Sequence, residues 1–449
     1  MGRSTWNTKS CRTCVKRKVK CDKARPRCLR CRRSGTVCEG FSGLILLTDS
    51  TLLSRQRSLV AHQQRAQLLS RFLEDYLPPQ ASNEVAYTTP VSWVERFPDF
   101  SRGNSPLIRN CVSALALMHF AKTRQIDSLV REDAHYYSPA VQETCTLQRN
   151  QCPADLTRAA MILGLYELYS LGPSVQLHAW RVHIIAATQL AQELSPPIQS
   201  LSNSDLRRLQ TLQFLQSCAT RKEQRCPQRA NHGSNNRFDQ LMDVLFEVGE
   251  LYRHLEQIRV SSGETKCRST DLLLRKAFDI EQKLLGWCHE LQSENCSTPL
   301  FLAKCDEQRS NQTIITFPNA SAIPLLMLYW LGMVVIYSSA SEGLQMLEVD
   351  ESIRMQDFGV YEFGLNLSAR SEQFDYDQTL EDEAEVLCKH FVSKISQSQA
   401  DCMEKGLGTA TLAAASLQAA QHLCSHMWHD PPISPSTPVL DFTAARGWN

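Results

Sequence analysis

The 449-residue sequence predicts a mainly α-helical protein, a small cysteine-rich head at the N-terminus followed by an all-α body. Three observations carry that prediction. Residues 1–40 hold 13 Lys or Arg against Asp22 and Glu39, a net charge of +11, whereas the other 409 residues carry 35 basic and 45 acidic side chains, a net of −10. Six of the 18 cysteines fall within residues 11–38. Beyond them, apolar residues recur at three- and four-residue steps through most of the chain, with few alternating β-branched runs. A composition of 43% hydrophobic and 21% charged residues excludes wholesale disorder and collagen-like repeats. The charge split points to a polyanion-binding module carried beside a separate domain.

The head comes first. Its cysteines, Cys11, Cys14, Cys21, Cys28, Cys31 and Cys38, form two copies of C-x2-C-x6-C offset by 17 residues. The opening MGRSTWNTKSCRTC shows neither the apolar stretch nor the cleavage site of a secretory leader. The expected compartment is therefore reducing, cytosol or nucleus, where clustered cysteines serve as metal ligands more often than as disulfides. Each C-x2-C pair places two thiolates on one tetrahedral metal, and a closed zinc site takes four ligands. Two zinc ions need eight ligands where six are present, and the count closes if one thiolate from each copy bridges both metals. The first histidine is His62, so fingers with histidine ligands are excluded. A four-cysteine ribbon would leave Cys21 and Cys38 unexplained.

Residues 41–61 mix Gly, Ser and Thr with leucines in no sustained heptad and read as a linker. The body spans 62–428. Its first helix runs through Leu68, Leu69, Phe72, Leu73, Tyr76 and Leu77 to the stop at Pro78 and Pro79. Helical periodicity follows over 106–122, opened by Pro106, then over 154–171 and 176–194. The polar stretch near 220–237 reads as a disordered loop. Helices resume over 238–259, 270–291, 322–340, 380–398 and 407–428. Residues 310–341 carry no charge and are long enough to span a bilayer. Their most apolar run, Ile323 to Tyr337, is short, contains Pro324 and Gly332 and lacks a flanking basic cluster, so a buried central helix is expected and no membrane partner. The tail, 429–449, is Pro-rich and reads as flexible.

The segment CRTCVKRKVKCDKARPRCLRCRRSGTVCEG resembles the fungal zinc binuclear cluster (Zn(2)-C6 fungal-type) DNA-binding domain of transcription factors, through its six-cysteine spacing and its RKVKCD string. The resemblance covers about 30 residues. It implies two Zn²⁺ bridged by Cys11 and Cys28, a turn shaped by Pro26 between the two halves, and double-stranded DNA as the partner. It also implies that Lys18 reads bases of a CGG-type triplet while Arg17 and Lys20 lie nearer the backbone. Lys16, Arg17, Lys18 and Lys20 cannot all face the metal, and a fan of such groups suits phosphates and guanine edges. One departure is Val15, where the family it resembles most often has Arg after the second cysteine. Lys16 leaves a different face and does not inherit that phosphate contact.

More loosely, the body resembles the helical fungal transcription factor regulatory domain, in LEDYLPP, SPLIRNCVSALALMHFA, LHAWRVHIIAATQL and LMLYWLGMVVIY. His178 and His183 lack a third ligand nearby and read as satisfied or surface histidines. No catalytic motif is present, so catalytic residues are expected to be none and the protein is not expected to be an enzyme. Residues 342–385 hold 13 acidic side chains against Arg354 and Arg370, interleaved with aromatics, and read either as a loop or as a segment that recruits coactivators. The expected function is a nuclear, sequence-specific regulator of RNA polymerase II promoters, controlling a metabolic or secondary-metabolite pathway that nothing in the sequence selects. Coactivators, corepressors or a homodimer are its candidate protein partners. The competing reading is a zinc-stabilised scaffold that binds nucleic acid or protein without sequence preference.

Overall fold

The computed structural model describes residues 10–22, 28–38, 64–78, 87, 89–103, 105–124, 126, 136–144, 152–170, 178–193, 201–223, 236–294, 298–306, 312–348 and 380–425. The linker 41–61, Pro26, most of the acidic segment, the centre of the 220–237 loop and the tail lie outside these residues. The chain divides into two units, Met1–Gln67 and Leu68–Asn449. The first carries α1 (Arg12–Lys16) and α2 (Leu29–Arg33).

Among the described residues, the second unit is helical apart from one hairpin. It contains α3 (64–76) from Leu68 onward, a 3-10 segment (Pro90–Arg96), α4 (Phe97–Arg102), α5 (Pro106–Arg124), α6 (136–144), α7 (Pro153–Ser170), α8 (His178–Glu193) and α9 (Asn203–Thr220). After α10 (Arg237–Val260) and α11 (Gly263–Glu294) come strands β1 (Leu302–Asp306) and β2 (Gln312–Thr316), then α12 (Ile323–Glu348), α13 (Leu380–Gln397), α14 (Gln399–Glu404) and α15 (Leu407–Leu423). β1 and β2 pair antiparallel, from Leu302 opposite Thr316 to Asp306 opposite Gln312. Helix starts follow local chemistry. Pro106 and Pro153 stand at first helical positions, where a missing N–H removes no bond. Ser202 and Asp205 form a reciprocal capping box for α9, and the Asn236 side chain accepts from the Phe238 N–H at 3.1 Å.

α5, α7 and α8 pack as one group of helices, and α10 and α11 as a second. The latter two run antiparallel, since Arg237 at the start of α10 pairs with Glu290 at 2.5 Å and Glu294 at 2.6 Å near the end of α11. α12 lies against α10, α11, α13 and α15. Within Ala320–Leu347 the most apolar 18-residue window has a mean hydropathy of 1.9 and is 94% buried, so the most apolar run among the described residues is covered by protein. An α-helix hydrophobic on all sides needs such cover. Pro324 is tolerated there because it sits at the second helical position.

Sequence periodicity located α5, α7, α8, α10, α11, α12, α13 and α15, with α11 and α12 extending beyond the predicted bounds and α15 stopping short of residue 428. It did not locate α9. That helix buries Asp205, Arg208, Gln210, Thr211, Gln213, Gln216 and Ser217 among its apolar residues, so no polar face marks its period. Asp205, fully buried, accepts from Trp93 Nε1 at 2.8 Å, the Ser202 N–H at 2.9 Å, Arg158 Nε at 3.1 Å and Arg96 at 3.2 Å. α15 enters against the end of α3. Gly406 has φ +123°, and a Cβ there would stand 3.0 Å from the Leu77 carbonyl oxygen, while one on Gly408 would stand 2.8 Å from that of Tyr76.

Candidate metal centre and nucleic-acid interface

In the head, each C-x2-C pair is also the first turn of a helix. Cys11 caps α1 and its Sγ accepts from the Cys14 N–H at 3.3 Å; Cys28 caps α2 and accepts from the Cys31 N–H at 3.3 Å. A helix N-terminus favours negative charge, so both caps suit a thiolate. Each short helix then closes alike. Lys18 N–H donates to the Val15 carbonyl at 3.1 Å and Val19 N–H to that of Cys14 at 3.0 Å. Seventeen residues on, Gly35 N–H donates to Arg32 at 3.4 Å and Thr36 N–H to Cys31 at 3.1 Å. Both are Schellman closures, which require a left-handed residue, and Lys18 has φ +50° where Gly35 has φ +63°. The sequence repeat is thus a backbone repeat.

The closures turn Cys21 and Cys38 back toward the caps. The sulfurs of Cys11, Cys14, Cys21 and Cys28 all lie within 4.8 Å of one another, as do those of Cys11, Cys28, Cys31 and Cys38. Cys11 and Cys28 belong to both groups, and their Sγ atoms are 3.5 Å apart. Burial pushes the Cys11 and Cys14 thiols up, a penalty that bound cations would reverse. Two four-sulfur sets sharing two members fit two tetrahedral, thiolate-preferring cations such as zinc. Among the described residues, the remaining core of the head is one partly buried valine, Val19, while Val15, Leu29 and Val37 are exposed. So little apolar burial leaves metal ligation as the source of folding energy.

Polar bonds tie the halves together. The Asp22 carboxylate accepts from the N–H groups of Leu29 at 2.9 Å and Arg30 at 2.6 Å, sealing the start of α2. Thr13 Oγ1 donates to the Val37 carbonyl at 3.0 Å. The Arg17 guanidinium donates to Ser34 Oγ at 3.1 Å and Thr36 Oγ1 at 2.7 Å, so its side chain is held against the other half. Lys16, Arg17, Lys18 and Lys20 are all exposed around the end of α1, and Arg30, Arg32 and Arg33 are exposed along α2. Asp22 and these α2 arginines were absent from the residues singled out in the sequence. The 17-residue offset was the signal for them, since it places Arg32 opposite Val15 and Arg33 opposite Lys16. Pro26 lies outside the described residues.

In the body, His183 faces Glu167 at 3.8 Å and belongs to no group of metal-ligating side chains among the described residues. Cys111, Cys218, Cys388, Cys402 and Cys424 are buried, as small apolar residues would be.

Residues 9–44 match the family described as the fungal Zn(2)-Cys(6) binuclear cluster domain, and residues 67–323 match the fungal specific transcription factor domain. No curated protein and no solved structure matches the chain.

Proposed function

Because the chain belongs to the fungal specific transcription factors and carries their two-zinc binuclear cluster, we propose that it acts in the nucleus on RNA polymerase II promoters, reading a CGG-type triplet. Cys11, Cys14, Cys21, Cys28, Cys31 and Cys38 hold the two zinc ions, with Cys11 and Cys28 as the bridges. The observation that carries this reading is the pair of four-sulfur groups sharing those two cysteines. The zinc supplies rigidity and no reaction chemistry. The chain's own residues do the reading.

Lys18 is the base-reading residue of this proposal. Its left-handed backbone places the side chain beyond the end of α1, and the matching turn of α2 has Gly35, which has no side chain to offer. The ammonium of Lys18 donates to guanine O6 and N7 in the major groove. Lys20 contacts phosphates, and the exposed charges of Lys16 and Arg17 beside it add to the attraction, giving binding a steep salt dependence. Arg17, held on Ser34 and Thr36, contributes its charge while positioning the two halves. The body, 62–428, is the regulatory domain beyond the linker 41–61, the acidic segment 342–385 recruits coactivators, and the tail is 429–449. Neither family is an enzyme family, and the chain is assigned no catalytic role.

The test is a randomised-DNA selection with the full-length protein, in zinc and after chelation. Zinc-dependent enrichment of CGG triplets is the expected result, with one triplet or two at fixed spacing reporting a monomer or a homodimer. Binding without enrichment would instead establish the scaffold.

A further inference from the structure

Arg181 in the first turn of α8, Arg221 closing α9, Tyr252 and Arg259 of α10, Glu342 in the last two turns of α12 and His422 in the last turn of α15 meet in one polar cluster. Arg221 and Arg259 share the Glu342 carboxylate, the second at 2.5 Å, and Arg259 also pairs with the exposed Glu256. The His422 ring lies in the field of Arg181 and Arg221, and the Tyr252 hydroxyl in that of Arg221 and Glu342. Arg181 reaches the Ala219 carbonyl at 3.4 Å, a long bond, and has no carboxylate partner among the described residues.

The cluster has more donors than acceptors. Arg181 Nε and Arg221 Nε are each shut off from solvent with no hydrogen-bond acceptor among the described residues, and the Tyr252 hydroxyl has the Cys218 thiol as its neighbour. Tyr252 is 3% exposed and lies beside the Cys218 thiol, a weak acceptor that leaves the hydroxyl without a sound bond. Buried polar groups in native proteins are nearly always bonded, so two unpartnered guanidinium donors and one weakly held hydroxyl at one charge-rich junction leave a place for an acceptor beyond the described residues. His422 and Arg259 are exposed, while Tyr252 is buried. Three guanidiniums against Glu342 and Glu256 leave the junction positive. The acceptor that suits it is a compact group with several oxygens and a negative charge, which guanidinium forks match in geometry.

We propose that this junction binds a small oxyanion, the carboxylate or phosphate group of a metabolite, through Arg181, Arg221 and Tyr252, with the exposed His422 and Arg259 beside them. The regulatory body thereby carries an effector site of its own. Its occupancy is measured without DNA, so it stands or falls independently of triplet reading.

The test is isothermal titration calorimetry on the full-length zinc-loaded protein at fixed ionic strength, with inorganic phosphate in one arm and citrate in the other. Wild type should give a saturable one-site isotherm with one of them, and which arm responds identifies the oxyanion. Arg181→Met should weaken that binding about tenfold or more and Tyr252→Phe about threefold, with the thermal melt of each variant unchanged. Should Arg181→Met fail to fold, Tyr252→Phe is paired with an NMR titration of His422, whose pKa should rise when the anion is bound. An absence of saturable heat in both arms, isotherms unchanged in the folded variants, or a His422 titration indifferent to the anion would each overturn the proposal.

Discussion

Lys18 occupies a backbone conformation that glycine adopts freely and other residues adopt at a cost of about 1–2 kcal/mol. Its counterpart Gly35 shows that the turn itself needs no side chain. On the proposed function, the lysine is there for what its side chain reaches. Lys18→Gly should stabilise the zinc-loaded head by about 1 kcal/mol, read as a higher denaturation midpoint, while abolishing triplet preference in a DNA selection. A variant that kept its preference would return Lys18 to a surface role. The opposite case is Gly406, with φ +123° and its α-carbon against the Leu77 backbone. Gly406→Ala should lower the stability of the body by about 2 kcal/mol or more in urea unfolding, because neither the backbone angle nor the neighbouring carbonyl can give.

At the scale of elements, legibility in the sequence followed the hydrophobic effect. α11 and α13 show an apolar stripe against a charged face, and their periods were visible in the residues. α9 was invisible because its buried side is held by hydrogen bonds and ion pairs, which leave no periodic signature. Asp205 is its anchor. Burial pushes that carboxyl up, but the Arg158 guanidinium, the Ser202 N–H and the Trp93 indole outweigh it and hold it below the usual carboxylate range. A lowered folded-state pKa means that the contribution is complete above the unfolded value, near 3.9, and is lost as pH falls through the folded value. Asp205→Asn should cost about 3–5 kcal/mol at neutral pH, since it leaves Arg158 and Arg96 beside an uncharged partner. The penalty should shrink in acid unfolding curves taken toward pH 2, where the wild-type carboxyl also becomes neutral; a penalty constant with pH would show that packing, not charge, is lost.

On the scale of the whole molecule, the two units hold together by different physics. The body buries a continuous core running from Leu69 to Cys424, whereas the described residues of the head have almost no apolar core besides their cysteines. A strong zinc chelator should therefore abolish DNA binding and the ordered signal of the head while leaving the main calorimetric transition of the body within about 1 °C. A body transition that fell along with the head would mean that the two are energetically one.

The sequence by itself determined the metal chemistry, the charge of the head and most of the helices. Those properties are local: a ligand spacing, a count of charges, a period of 3.6 residues. It also determined that Cys11 and Cys28 occupy equivalent places in a repeat, and the fold then brought both sulfurs into each four-cysteine group. Only the tertiary structure decided that the most apolar helix is wrapped by protein, that Arg17 faces the opposite half of the head, and that Asp205 joins Trp93 and Arg158 from distant segments. It alone decided that Arg181, Arg221, Tyr252 and His422 share one junction. These depend on contacts between residues tens to hundreds of positions apart, and such contacts leave no pattern along the chain because any helix surface of suitable shape and charge could have met them.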